Sequence, residues 1–301
     1  MSLPFDRVAF MQLLPWQHTT SAGFDLRGWH TPVSGKPLLH FLHGNGFCTR
    51  TYEPLLSLLA KDFDLWLCDL QGHGESDHGG HFLGWNRNAE LALEAFQAGR
   101  ERFGEVPRFA CGHSFGGVLT SLMLSAHPEL FERAVLLDPV LFPMRLIQLR
   151  TSLSLLGVRR NPMADSAKAR RDHWPDRDTA YGALHNRGIF RGWEEAGFQA
   201  HIDHALKDHQ EHGVELKCRP SREAEVFETM PKRLWPALKR IRTPTLVIHG
   251  DKTYPFVQQS AKRLATINPQ VSVLSAEGGH CFMQENSAQS ADLISRFLLE
   301  T

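Results

Sequence analysis

Six short apolar runs set the strongest constraint on how this chain can fold: PLLHFLH (37–43), DLWLCDL (64–70), PRFACGHS (107–114), RAVLLDPV (133–140), TLVIHG (245–250) and QVSVLSA (270–276). Most are apolar throughout instead of alternating with polar residues, the pattern of strands covered on both faces. Segments with helical spacing lie between them, among them 51–63, 86–104, 115–127, 258–267 and 287–300. Leu91, Ala95 and Ala98 share one face of the second of these, with Gly104 available to end it and a threonine available to start the first. GFDLRGWH (23–30) alternates at period two. Strand–helix repetition predicts an α/β fold with a mostly parallel sheet flanked by helices, right-handed crossovers and ligands beyond the carboxyl ends of the strands.

Between about 143 and 235 this rhythm breaks. The stretch is rich in Arg, His and Trp, carries prolines at 143, 162, 175, 220 and 231, and holds no long strand. MRLIQLRTSLSLLGV reads as an amphipathic helix and VELKC as a short edge strand. The expected organisation is a core of residues 1–142 and 236–301, with 143–235 a helical cap inserted after the strand that ends near Asp138.

Composition excludes several classes. With 33 basic and 33 acidic residues there is no net field toward nucleic acid or an anionic membrane surface. No apolar run approaches the ~18 residues of a membrane span. The N-terminal MSLPFDRVAF lacks the charged and apolar regions of a signal peptide. Five cysteines with no C-x-x-C pair argue against both a disulfide framework and a zinc knuckle, and suit a reducing compartment. A cytoplasmic protein without metal or organic cofactor is expected. His201, His204, His209 and His212 fall on one broad helical face; a solvated polar face accounts for them more simply than a metal site.

CGHSFGG (111–117) places G-H-S-F-G between a strand and a helix. So tight a turn needs Gly112 and Gly116 and pushes Ser114 outward at a helix N-terminus, where the Phe115 N–H and the helix dipole favour a developing oxyanion. The competing reading is a glycine-rich turn with an incidental serine. HGNG (43–46) ends another strand and makes the Asn45 N–H the natural second oxyanion donor. GGHCFMQE carries His280 after the last strand, in position to act as a general base. No segment fits G-x-G-x-x-G, so no dinucleotide site is expected.

HGNG, DLQGHGESD, GHSFGG, TLVIHGD and GGHCFMQE together resemble the α/β-hydrolase superfamily, in its serine-hydrolase branch with a helical cap. The resemblance covers most of residues 23–300 outside the cap. It implies Ser114 as nucleophile, His280 as base, the Phe115 and Asn45 amides as oxyanion hole, and Asp69, Gly72, Gly74 and Ser76 as a structural turn. The acid departs from the pattern. Many members place it three residues past the glycine of TLVIHG, which here is Thr253. Asp251 lies one past that glycine. The other seat known in the family follows the preceding strand and holds Asp138. A carboxylate ending a buried strand needs a partner, which an imidazole N–H supplies; the alternatives for Asp138 are an Asp-Pro turn or a cap for the next helix. Asp138 is therefore the expected acid and Asp251 the alternative.

The function expected is cleavage of an ester or thioester of a small to medium, apolar acyl substrate. The alternatives are a carbon–carbon bond hydrolase or lyase on the same fold, or a non-catalytic ligand receptor. Trp174, Trp193 and Trp235 are expected as packing anchors, and Cys111 and Cys281 as small core fillers.

Overall fold

A computed structural model describes residues 11–155, 161–211 and 213–300. The N-terminal ten residues, the end of the MRLIQLRTSLSLLGV segment and His212 lie outside the described residues. Eight strands form the main sheet. In chain order its elements are β1 (Leu14–Thr19), β2 (Asp25–His30), β3 (Leu38–Leu42), α1 (Glu53–Leu59), β4 (Asp64–Cys68), α2 (Trp85–Arg100), β5 (Arg108–His113), α3 (Phe115–Ala126) and β6 (Arg133–Leu137). The spatial order is β1-β2-β4-β3-β5-β6-β10-β11, where β10 is Thr245–Gly250 and β11 is Val271–Ala276. Every pairing from β4 to β11 is parallel, and only β2 runs against the rest, antiparallel to both β1 and β4. The mostly parallel α/β sheet is as expected. The edge strand β1, exposed or half-buried except at Trp16, is an addition.

Alternation along each buried strand sorts its side chains to two cores. On β6, Ala134 and Leu136 join the layer with α2 and α3, whereas Val135 and Leu137 join the layer with α1 and α12 (Ser287–Leu299). At about 25 cal/mol per Å2 of apolar surface, such burial is the main force holding the sheet between its helices. The first helix starts differently from expectation: Thr51 lies in a 3-10 turn (Thr49–Tyr52) and caps nothing, while Pro54 occupies the first turn of α1. Gly104, at φ 70°, closes a 3-10 extension of α2.

Between β6 and β10 the chain leaves the sheet. It forms α4 (Met144–Leu155), α5 (Pro162–Lys168), β7 (His173–Trp174), α6 (Arg177–Leu184), α7 (Glu195–His204), β8 (Leu206–His209), β9 (Gly213–Leu216), α8 (Pro220–Glu228) and α9 (Leu234–Arg240). β9 is the centre, not the edge, of a small antiparallel sheet ordered β7-β9-β8. The histidine run is not one helix: α7 ends at His204, and His209 belongs to β8. The chain then completes the core with β10, α10 (Pro255–Ile267), β11, α11 (Phe282–Glu285) and α12. Trp174 and Trp235 are buried, whereas Trp193 is half-buried against Phe47 and Phe190. Among the described residues no helix is long and apolar enough to cross a membrane.

Candidate active site

β3 lies between β4 and β5 although it precedes both, so the sheet order reverses there and the loops leaving β3 and β5 meet above its carboxyl edge. The loops after β6, β10 and β11 reach the same edge. Ser114, the residue between β5 and α3, has φ 52° and ψ −110°, a conformation that only strong surrounding constraint holds in a residue with a side chain. The constraint is visible in the adjoining glycines. A Cβ on Gly112 would stand 2.5 Å from the Gly116 carbonyl oxygen, and one on Gly116 would stand 2.4 Å from that of Leu42. Backbone bonds from Ser114 N to Leu137 O (2.9 Å) and from Gly116 N to His43 O (3.1 Å) pin the turn to both neighbouring strands.

The structure brings Ser114, His280 and Asp138 into one line. His280 Nε2 lies 2.9 Å from Ser114 Oγ, and His280 Nδ1 lies 2.5 Å from Asp138 Oδ2. Asp138 is fully buried at φ 43°, and α4 begins six residues later, so the carboxylate does not cap that helix. It instead accepts from the Gly250 N–H through Oδ1 (2.8 Å) and from the Thr253 hydroxyl through Oδ2 (2.5 Å). Three donors thus compensate one buried charge. Thr253, three residues past the glycine that ends β10, thus holds the Asp138 carboxylate. Sequence spacing does not reveal this contact, because it depends on β10 pairing beside β6.

Asp251 faces elsewhere. Its Oδ1 accepts from Gly278 N (2.8 Å), and its own N–H donates to Ala276 O, which ties the β10 loop to the approach to His280. Asp69, buried, accepts from the backbone and hydroxyl of Thr49 and from Glu75 N, and the Ser76 hydroxyl donates to its carbonyl; this is a structural turn.

The Asn45 and Phe115 amides lie on the loop after β3 and in the first position of α3. Among the described residues neither N–H has a hydrogen-bond partner within the chain. The Asn45 side chain is engaged on both sides: its amide donates to Glu223 O of α8 (3.1 Å), and its oxygen faces His73 Nε2 (3.1 Å). Burial holds the His73, His43 and His113 imidazoles below their ordinary range, so the polar floor of the site stays neutral. Burial likewise pushes the Cys111 and Cys281 thiols up, which fits core fillers and disfavours reactive thiolates.

Aromatic rings pack beside His113 of the elbow and beside His280. Phe47 packs against Phe190 and Trp193 of the insertion, and Tyr254 lies 5.3 Å from the His280 ring in a row with Phe256 and Phe142. The three described histidines of that run do not converge. His201 is buried near Thr51, His204 pairs with Glu53 (2.9 Å) and His209 lies on β8. Among the described residues no cluster of metal-ligating side chains is present.

Known proteins resemble the chain in both sequence and shape. It is 29% identical to the type I acyl-CoA thioesterase mpaH of Penicillium roqueforti over 166 residues, which is 50% of this chain and 36% of that protein. It is 30% identical to a serine hydrolase-like protein of Homo sapiens over 133 residues, 43% of this chain and 59% of that one. The chain thus spans only part of the length of these relatives. The crystal structure of E-2-(acetamidomethylene)succinate hydrolase superposes with a TM-score of 0.77 at 16% identity, covering 96% of this chain and 100% of that one. Residues 41–293, well over half of the sequence, match the Alpha/beta hydrolase family, and the chain belongs to that family.

Proposed function

We propose that this protein is a serine hydrolase that cleaves an ester or thioester of a small to medium, apolar acyl group through an acyl-enzyme. The observation that carries the proposal is the continuous line from Ser114 Oγ through His280 to the buried, triply hydrogen-bonded Asp138. In the productive tautomer, His280 Nδ1–H donates to Asp138 and Nε2 accepts the Ser114 hydroxyl proton. Ser114 Oγ attacks the acyl carbon, and His280 takes its proton. The carbonyl oxygen becomes an oxyanion between the Asn45 and Phe115 N–H groups, with the N-terminal end of α3 adding its dipole. Collapse of this intermediate expels the alcohol or thiol, which receives the proton from His280. Water then repeats the sequence in reverse and frees the acid and Ser114. No step calls for a metal or an organic cofactor.

The apolar acyl preference is supported by the Tyr254 ring beside His280 and by the cluster of Phe47, Phe190 and Trp193, which packs through Phe47 against His113 of the elbow. Phe190, Trp193 and Glu223 come from residues 143–235, which we read as a cap that closes over the acyl group. Thioesters are included because a relative carries that activity in its name. A panel of p-nitrophenyl esters of rising acyl length, run beside matched acyl thioesters, tests the proposal. Turnover that rises with apolar chain length and vanishes in Ser114→Ala is expected. Absence of turnover on every ester and thioester by folded protein overturns it.

A further inference from the structure

The histidine inside the elbow motif, His113, lies at the end of β5 and is fully buried together with Tyr52. Neither enters the chemistry above. They form an unbroken chain of hydrogen bonds: Gly44 N to Tyr52 Oη (3.1 Å), Tyr52 Oη to His113 Nδ1 (2.6 Å), and His113 Nε2 to the His280 carbonyl oxygen (2.9 Å). One end is the N–H of Gly44, the residue before Asn45 on the oxyanion loop. The other is the backbone of the base itself.

The partners admit one arrangement of protons. The His280 carbonyl only accepts, so His113 Nε2 carries hydrogen. Burial holds the imidazole neutral, so Nδ1 is a lone pair and the Tyr52 hydroxyl must donate to it. Burial also pushes the Tyr52 phenol above its ordinary range, which keeps that proton in place. The Tyr52 oxygen then accepts from Gly44 N–H, which only donates. Every polar atom is satisfied, and reversing any one bond leaves two donors or two acceptors facing each other. Crowding reinforces the order: a Cβ on Gly44 would lie 2.8 Å from His113 Nδ1, and the His113 ring packs 4.9 Å from that of His280.

We propose that Tyr52 and His113 are positioning residues that hold the oxyanion loop and the His280 loop in fixed relation to Ser114 through this directional chain. The two loops leave β3, in the middle of the sheet, and β11, at its edge, with β5, β6 and β10 between them, and no strand pairing joins them. His113 therefore lets the turn that carries the nucleophile set the height of the base and, through Tyr52, the orientation of the peptide that precedes the Asn45 N–H. The kinetic part of this inference rests on the hydrolase reading above; the proton order does not.

Two measurements test it. Imidazole 15N NMR of the intact protein at neutral pH is expected to show His113 protonated on Nε2 and unprotonated on Nδ1; the opposite tautomer, or a doubly protonated ring, overturns the proposal whether or not the protein hydrolyses esters. Steady-state kinetics on a p-nitrophenyl ester form the second. Tyr52→Phe keeps the ring and removes only the hydroxyl. It is expected to lower kcat about 10- to 100-fold, the range set by leaving a buried donor and acceptor unpaired, with KM changed less than about twofold. His113→Gln, which can donate to the His280 carbonyl and accept from Tyr52, is expected to retain several-fold more kcat than His113→Leu. A merely structural role predicts a lower unfolding midpoint with undiminished kcat per folded site; that outcome in Tyr52→Phe overturns the proposal.

Discussion

Replacing Asp138 with Asn separates the two acids by mechanism. Asn has nearly the same shape, so the fully buried site stays filled. Asp138 now accepts from Gly250 N on one oxygen, and from Thr253 and His280 on the other. If the Asn oxygen keeps the Gly250 bond, its NH2 faces Thr253 and His280. The Thr253 hydroxyl can turn and accept. The imidazole can avoid two facing donors only by moving its proton to Nε2, where it points at Ser114 Oγ and can no longer remove a proton. Loss of the correct tautomer in a serine triad costs about 10^4 in kcat, or roughly 5 kcal/mol of transition-state stabilisation. If the amide flips, its NH2 instead meets the Gly250 N–H, a buried mismatch of roughly 1–3 kcal/mol in stability. The first arrangement predicts a folded protein with activity near background. The flipped one keeps the tautomer but withdraws the charge that stabilises the imidazolium and loses stability, so kcat falls well beyond tenfold in either case. Asp251→Asn is the control: its oxygen still accepts from Gly278 N, so kcat should stay within about a factor of two. Initial rates on p-nitrophenyl butyrate, with urea unfolding to normalise for folded protein, decide the matter. Asp138→Asn within tenfold of wild type, or collapse of Asp251→Asn instead, refutes the assignment.

Thr253→Val removes a hydroxyl that donates to the Asp138 carboxylate and leaves the side-chain volume nearly unchanged; a hydrogen bond to a charged group is worth roughly 1.5–3 kcal/mol, so kcat should fall by about tenfold or more while KM holds, and unchanged kcat counts against the acid being held this way. His40, buried between Phe96 and Phe131, has its imidazole lowered by burial to about 3, and among the described residues neither ring nitrogen has a hydrogen-bond partner. The unfolded chain binds this proton near pH 6.5 and the folded chain only near 3, so the stability it confers is complete above about pH 6.5 and is lost as pH falls through that window, by at most roughly 4–5 kcal/mol. His40→Leu should flatten the dependence of the urea midpoint on pH between 6.5 and 4, and an unaltered slope contradicts the argument. Gly116→Ala should lower stability by roughly 1–3 kcal/mol or prevent folding, since its Cβ meets the Leu42 and His43 carbonyl oxygens at 2.4 and 2.6 Å; a protein of wild-type stability by thermal unfolding counts against this reading of the elbow.

The parallel strands were legible because burial on both faces leaves a continuous apolar run, and the elbow because only glycine fits the close approaches at 112 and 116. The sheet of the insertion was not: β7, β8 and β9 hold two to four residues each, too short to display a period. The run from His201 to His212 carries helical spacing, yet α7 stops at His204 and β8 pairs with β9. Tertiary pairing overrode local propensity there. At the site, residue types and chain order pointed to Ser114, His280 and Asp138 as a group, but not to their supports. Thr253 and Asp138 stand 115 positions apart, and Tyr52 and His113 stand 61 apart; only the strand order makes them neighbours. A hydroxyl where an acid is looked for reads as a loss in one dimension and as a partner in three.

Mass spectrometry of the protein after reaction with a fluorophosphonate at neutral pH tests the central claim most directly. One phosphonyl adduct on Ser114 is expected, absent in Ser114→Ala and slowed by orders of magnitude in His280→Ala. Folded wild-type protein that takes no adduct, or takes it on a residue other than Ser114, contradicts the account.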